Sequence, residues 1–318
     1  MDDSAQAEMV RDYARAALEV AGARFVVPTP LHQIRESLEL VSAEELNALA
    51  EHTPPLLRQK LRRLRHKLRG LLASRERIIY VDPELHHNRQ RFVLGHELGH
   101  YALPWQRDAY QADDDRSLAP EVKALFERQA NRFAAELLFN LDELKLRALG
   151  APLSLAVPAR LCTDFDASLI ATTRRYVEEH DSACALILIG QYPTVSQGHP
   201  GVRLLYGVQS PTFESRFGPV MRGLRLPVAW PGDFHPLASA CFDAVQRVGG
   251  PLVAGFYEAV TGAAFRFEVL HSRPSPMVLL VPRHRYRFWR DISPNTASPP
   301  RIERQPRPLI SAPGRASR

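Results

Sequence analysis

Cysteine is scarce in this chain. Three residues, Cys162, Cys184 and Cys241, are scattered over 318 positions. Odd in number and without metal-site spacing, they fit neither a disulfide framework nor a thiolate cluster and suit a reducing compartment. Long apolar runs are missing too. No stretch approaches the roughly 18–20 residues that span a bilayer, and Met1-Asp-Asp-Ser-Ala-Gln6 has neither the basic start nor the apolar run of a signal peptide. A cytoplasmic protein without membrane association is expected. Charge is only mildly unbalanced, 41 Lys+Arg against 35 Asp+Glu. Much of the excess lies in Arg58–Arg69 and in the C-terminal tail, so an acidic partner such as nucleic acid is only weakly favoured. Asp113-Asp114-Asp115 lacks the alternating oxygen-ligand spacing of a calcium loop and reads as solvated.

What remains is an ordinary globular composition, 45% hydrophobic and 24% charged, long enough for two or three domains. Its organising stretch is Arg91-Phe-Val-Leu-Gly-His-Glu-Leu-Gly-His-Tyr101, which contains the HExxH pattern His96–His100. On a helix these histidines stack one turn apart on one face, where both reach a single metal ion. Glu97 then projects beside them as a general base toward water. Imidazoles without nearby thiolates suit Zn²⁺, with Mn²⁺ another divalent ion the set accommodates.

A catalytic zinc needs a third protein ligand. Six residues after His100, where a metzincin carries histidine, stands Gln106, which excludes that class. The helix expected over Glu121–Leu138 has an apolar stripe of Val122, Leu125, Phe126, Ala130, Phe133, Ala134, Leu137 and Leu138. Beside the stripe lies Glu127, which can deliver a carboxylate from across the site. Asn131, one turn later, can accept a hydrogen bond from a ligand histidine and fix its tautomer. For the oxyanion, Tyr101 and Tyr110 are candidates without support from spacing.

The run Arg91–His100, followed by Glu127-Arg-Gln-Ala-Asn-Arg-Phe-Ala-Ala-Glu-Leu-Leu138, resembles the ImmA/IrrE family of metallo-endopeptidases. The resemblance covers about residues 76–140. It departs from the family pattern at Gly95, where Ala is common, and at Asn140, where Pro is usual; neither position is a ligand. It implies His96, His100 and Glu127 as zinc ligands and Glu97 as general base. It also implies a cytoplasmic protease that cleaves helix-turn-helix repressors, switching on stress-response or mobile-element genes. The alternative is a non-proteolytic regulatory or DNA-binding protein whose metal site is structural or vestigial.

Elsewhere, helices are expected over 4–21 and within Ile34–Ala50, the latter with Ser42-Ala-Glu-Glu45 as a capping box. A basic helix follows from Leu57 to Leu71, either packed on the core or facing an acidic partner. Arg77–Asp82 reads as a strand whose edge can receive an extended peptide. His86 and His87 read as surface residues, and 106–120 as a polar loop. Leu153–His180 resembles a helix-turn-helix pair, with Asp166, Ala167 and Ser168 opening its second helix. That start suits packing or repressor docking better than DNA reading. Strands are expected at Cys184–Ile189, Val202–Tyr206, Phe265–Leu270 and Met277–Val281, and helices at 237–248 and 251–260.

The expected class is α+β. A mostly helical, zincin-like peptidase domain with a small sheet occupies 1–150, and a helix-turn-helix-like segment 151–181. An α+β sensory or interaction module, GAF-like by resemblance, occupies 182–292, and a disordered basic tail 293–318. Trp230, His235 and Tyr257 name no ligand box.

Overall fold

The computed structural model describes residues 3–42, 70–74, 77–112, 119–196, 199–219, 253–258, 264–272 and 275–283. The readings at 54–69, Asp113–Asp115, Trp230, His235, 237–248, Cys241 and the tail lie outside these residues, as do the side chains of Tyr110 and Tyr257. Residues 1–283 form one compact unit.

Helix α1, Asp3–Val20, buries Val10, Ala14, Ala17 and Leu18 on one face. Gly22, at φ 63°, ends it, with the Ala23 amide bonding back to the Leu18 carbonyl at 2.7 Å. Such a left-handed turn needs no Cβ. Helix α2, Leu31–Ser37, is short, and Val41–Ser42 (β1) runs parallel to Ile78–Val81 (β3). Ser42 ends β1, and the capping box and helix expected beyond it, at 43–50, lie outside the described residues.

Strand β2, Gly70–Ala73, pairs antiparallel with β3, Leu71 opposite Tyr80. Leu71 therefore does not extend the expected basic helix. The sheet order is β1-β3-β2. This narrows the expected role of Arg77–Asp82: β3 is the middle strand, paired along its length by β2 and over Ile78 and Ile79 by β1, so among the described residues its second side is open only at Tyr80 and Val81.

Helix α3, His87–Ala102, ends before Pro104, and Pro104–Ala112 forms α4. The proline both stops one helix and opens the next, since its missing N–H costs nothing in a first turn. The loop expected from Gln106 is thus helical up to Ala112. Helices α5 (Pro120–Leu138), α6 (Glu143–Ala148), α7 (Ala156–Asp164) and α8 (Leu169–Glu178) follow.

Five antiparallel strands make the second sheet: β4 Ala185–Ser196, β5 His199–Gln209, β6 Val253–Glu258, β7 Ala264–Leu270 and β8 Met277–Pro282, in the order β5-β4-β8-β7-β6. Short helix α9, Pro211–Phe217, follows β5, capped by the Ser210 hydroxyl. The expected helix at 251–260 is instead β6, whose partner is β7. Gly255 weakens a helix there, and Phe256 and Tyr257 favour a strand. The fold is α+β, helical around the first sheet. One hydrophobic cluster runs from Val10 through Phe133 and Phe165 to Leu279. Glu268 of β7, buried, accepts the Ser154 hydroxyl and the Leu155 amide, each at 2.8 Å, tying the sheet to the start of α7.

Asn140 explains one departure from the family pattern. Its φ is 47°, which proline's ring forbids. Its buried amide donates to the carbonyls of Ala23 (2.8 Å) and Val26 (3.0 Å) and accepts from the Phe25 amide (3.1 Å). The side chain holds the loop between α1 and α2 against the end of α5.

Candidate metal centre

The centre depends on how closely α3 and α5 approach. On α3 the small residues Gly95 and Gly99 lie one turn apart and face Ala130 and Ala134 of α5. A Cβ on Gly99 would stand 3.1 Å from the Ala130 Cα and from the Phe133 Cβ; on Gly95 it would stand 3.3 Å from the Cα and Cβ of Ala134. Both are tighter than ordinary contact, so glycine sets the distance between the helices. Gly95, the other departure from the family pattern, is thereby a packing residue.

The crossing brings Glu127 of α5 to the histidines of α3. The Nε2 atoms of His96 and His100 are 3.0 Å apart, and their rings stand nearly perpendicular at 88°. Glu127 Oε2 lies 3.4 Å from His96 Nε2, and Oε1 lies 3.6 Å from His100 Nε2. A tetrahedral zinc with arms of about 2.0–2.1 Å has ligand–ligand edges of about 3.3–3.4 Å. The three separations bracket that value, so the donor set fits the ion. Among the described residues this is the one group of three or more His, Cys, Asp or Glu side chains gathered closely enough to hold a metal.

Glu97 points elsewhere than the histidines, as its position one residue from His96 requires, yet stays beside them. It is 8% exposed. Burial pushes its carboxyl up to about 7, with the Glu127 charge adding and His96 opposing. For His96, burial alone would lower the pKa, but the interaction with Glu127 and the charges of Glu97 and Glu127 outweigh it, and the imidazole is raised. Glu127 is lowered, chiefly by His96. In the metal-free chain these groups thus share positive charge that a bound cation would displace as protons.

Around the donors, Asn131 Oδ1 meets His96 Nδ1 at 3.1 Å. The equivalent neighbour of His100 is Gln106, whose Oε1 lies 2.7 Å from Nδ1. Sequence reasoning met Gln106 only as the absent third histidine. Its signal, an amide two residues past the helix-breaking proline, becomes readable only once α4 is seen to fold back.

Residues 55–176 match the model of the Peptidase_M78 family, described as the IrrE N-terminal-like domain. That segment is similar to an IrrE N-terminal-like domain. A solved Mycobacterium tuberculosis transcriptional regulator is similar in structure, with a TM-score of 0.47 at 14% identity, over 86% of this chain and 80% of that one. No curated protein matches the sequence. The IrrE-like segment contains the whole donor set and continues through α7 into α8.

The other residues singled out in the sequence lie elsewhere. Tyr101 is buried in the core. His86 is exposed, its Nδ1 capping α3 through the Asn88 amide. His87, also exposed, contacts Asp166 at 2.6 Å. Arg91 donates to the carbonyls of Thr29 (2.9 Å) and Asp166 (3.1 Å), anchoring the N-terminal part of α3. No described helix is long and apolar enough to cross a membrane.

Proposed function

We propose that this protein is a zinc-dependent endopeptidase acting on a regulatory protein in the cytoplasm. The observation that carries this reading is the convergence of His96, His100 and Glu127, with Glu97 buried alongside. A bound divalent cation supplies a Lewis acid for the scissile carbonyl and an acidified water. Glu97 takes the proton of the attacking water and passes it to the leaving amine. Its pKa of about 7 suits both transfers near neutral pH. Asn131 and Gln106 hold the imidazoles. With β3 flanked by β2 and, over Ile78 and Ile79, by β1, the strand next to α3 with a whole side free among the described residues is β2, and an extended peptide adds there.

The family resemblance points to a helix-turn-helix repressor of stress-response or mobile-element genes as substrate, with the module at 182–292 as a GAF-like sensor. DNA reading by 153–180 draws little support from its charges. Arg175 is buried against Glu136, Arg174 pairs with Glu178 at 2.9 Å, and the second helix is opened by the uncharged Ser168, with Asp166 in the turn before it facing His87 and Arg91.

The test is co-expression with repressors encoded nearby, comparing wild type with Glu97→Gln. Cleavage by wild type alone is expected. Fragments produced equally by both forms would refute the reading.

A further inference from the structure

A chain of side chains runs from the core to His100, and each link leaves the next a single choice. The indole N–H of Trp105 donates to Gln129 Oε1 at 2.9 Å. An indole nitrogen can only donate, so Gln129 must turn its oxygen toward it. Gln106 Nε2 donates to the same oxygen at 2.8 Å and to the Phe126 carbonyl at 3.3 Å. Reversing the Gln106 amide would set its oxygen against two acceptors. Gln106 therefore presents Oε1 to His100 Nδ1, at 2.7 Å. An acceptor at that distance places the hydrogen on Nδ1 and the lone pair on Nε2, the atom that faces His96 and Glu127.

We infer that Trp105, Gln129 and Gln106 form a positioning relay that fixes the tautomer of His100 and so presents its Nε2 to a divalent metal. The inference rests on the metal-centre reading but not on proteolysis. The relay is enclosed: Gln106 is 0% exposed and Gln129 and His100 are each 7% exposed, so water does not substitute for a missing link. Trp105 is held in turn by Tyr13 of α1, ring centroids 5.4 Å apart. His96 lacks this arrangement, since its neighbour Asn131 is exposed. Gln106 and Trp105 sit in the first turn of α4, and Gln129 lies one turn after Phe126 on α5. The turn at Pro104 is what brings them together.

The experiment reads zinc affinity by chelator competition and the His100 ring by ¹⁵N–¹H NMR of the zinc-loaded full chain. Wild type should show a slowly exchanging Nδ1–H and Nε2 bound to the metal. Gln106→Leu should weaken zinc binding about 10–100-fold, the usual cost of losing an orienting neighbour, and Gln129→Leu less. Trp105→Phe keeps the aromatic packing and removes only the N–H; it should speed Nδ1–H exchange and weaken zinc a few-fold. Gln129→Glu, which still offers an acceptor to both donors, should restore near-wild-type exchange and affinity. If Gln106→Leu does not fold, the comparison of Trp105→Phe with Gln129→Glu decides the matter. The relay is overturned if folded variants bind zinc as wild type does with unchanged Nδ1–H exchange, or if His100 binds through Nδ1. Failure of cleavage with His100 intact would instead count against the peptidase reading alone.

Discussion

Two glutamates on α5 receive opposite treatment. Glu127 and Glu136 are nine residues apart, half a revolution beyond two full turns, and therefore face opposite ways. Glu136 is wholly buried. Arg175 grips it with both terminal nitrogens, at 3.1 and 2.7 Å, while Arg11 and Arg132 approach within 3.5 and 3.6 Å. Glu127 is 45% exposed in its side chain and leans on two imidazoles. The first carboxylate is neutralised by guanidiniums that the chain itself provides. The second, with Glu97 nearby, feels the charge of Lys123 one turn back but is gripped by no guanidinium among the described residues, and is poised for a cation from outside. The charges that hold the fold and the charges that hold the metal are thus separate sets.

Substitutions can break this division. The largest effect on folding is expected from Glu136→Gln, which breaks the two-point grip on buried Arg175 and leaves it Glu179, at 2.6 Å, as its remaining close carboxylate among the described residues. About 3–5 kcal/mol should be lost in urea unfolding of the metal-free protein. Glu127→Gln in the same assay should stay within about 1 kcal/mol, as exposed ion pairs do. Comparable losses from the two would erase the distinction.

Metal affinity should reverse the order. Glu127→Gln removes a donor and should cost more than the roughly 10–100-fold of an orienting neighbour. Glu136→Gln, kept below its melting temperature, should bind zinc within a few-fold of wild type. Calorimetric titration of both variants measures this.

Glu97 sharpens the contrast through pH. Below 4.5 the carboxyl is protonated in both folded and unfolded chains and contributes nothing. Between 4.5 and about 7 the unfolded chain loses the proton while the folded chain keeps it, so folding weakens as pH rises. Glu97→Gln should therefore stabilise the metal-free protein above pH 7, by up to roughly 3 kcal/mol. That gain should vanish toward pH 4.5. A constant difference across the range, followed by thermal melts, would show that Glu97 carries no buried charge.

The smallest effects test the helix crossing. Gly99→Ala should cost about 1–3 kcal/mol, and Gly95→Ala less, because overpacking must be relieved by shifting α5. Zinc binding should fall with Gly99→Ala even where the protein folds.

The site was legible wherever the signal was local. The four-residue spacing of His96 and His100 and the apolar stripe around Phe133 place α3 and α5 without any tertiary information. Glu127 followed from the need for a third donor. Gln106 did not, because its role exists only after α4 folds back on Phe126 and Gln129. The central position of β3 was hidden for a similar reason: β1 reaches it from a distant segment, and β2, though next to it in sequence, began where the spacing of Leu68 and Leu71 read as helix. At 253–258, pairing with β7 replaced the expected helix. Gly95 and Asn140 stood out as departures, but their causes, an interhelical distance and a positive φ, are visible only in three dimensions.

The Glu136 cluster also governs how the protein can be trimmed for study. A fragment ending at Gly150 would discard Arg175 and, with Phe165, the ring packed on Phe139 at 5.7 Å. Such a piece would keep every donor of the metal centre yet expose the back of the helix that presents one of them. Extending the fragment past α8 keeps that support, although the Ser154–Glu268 bond still joins it to β7. Dissection by recombinant expression should begin from boundaries that respect these ties.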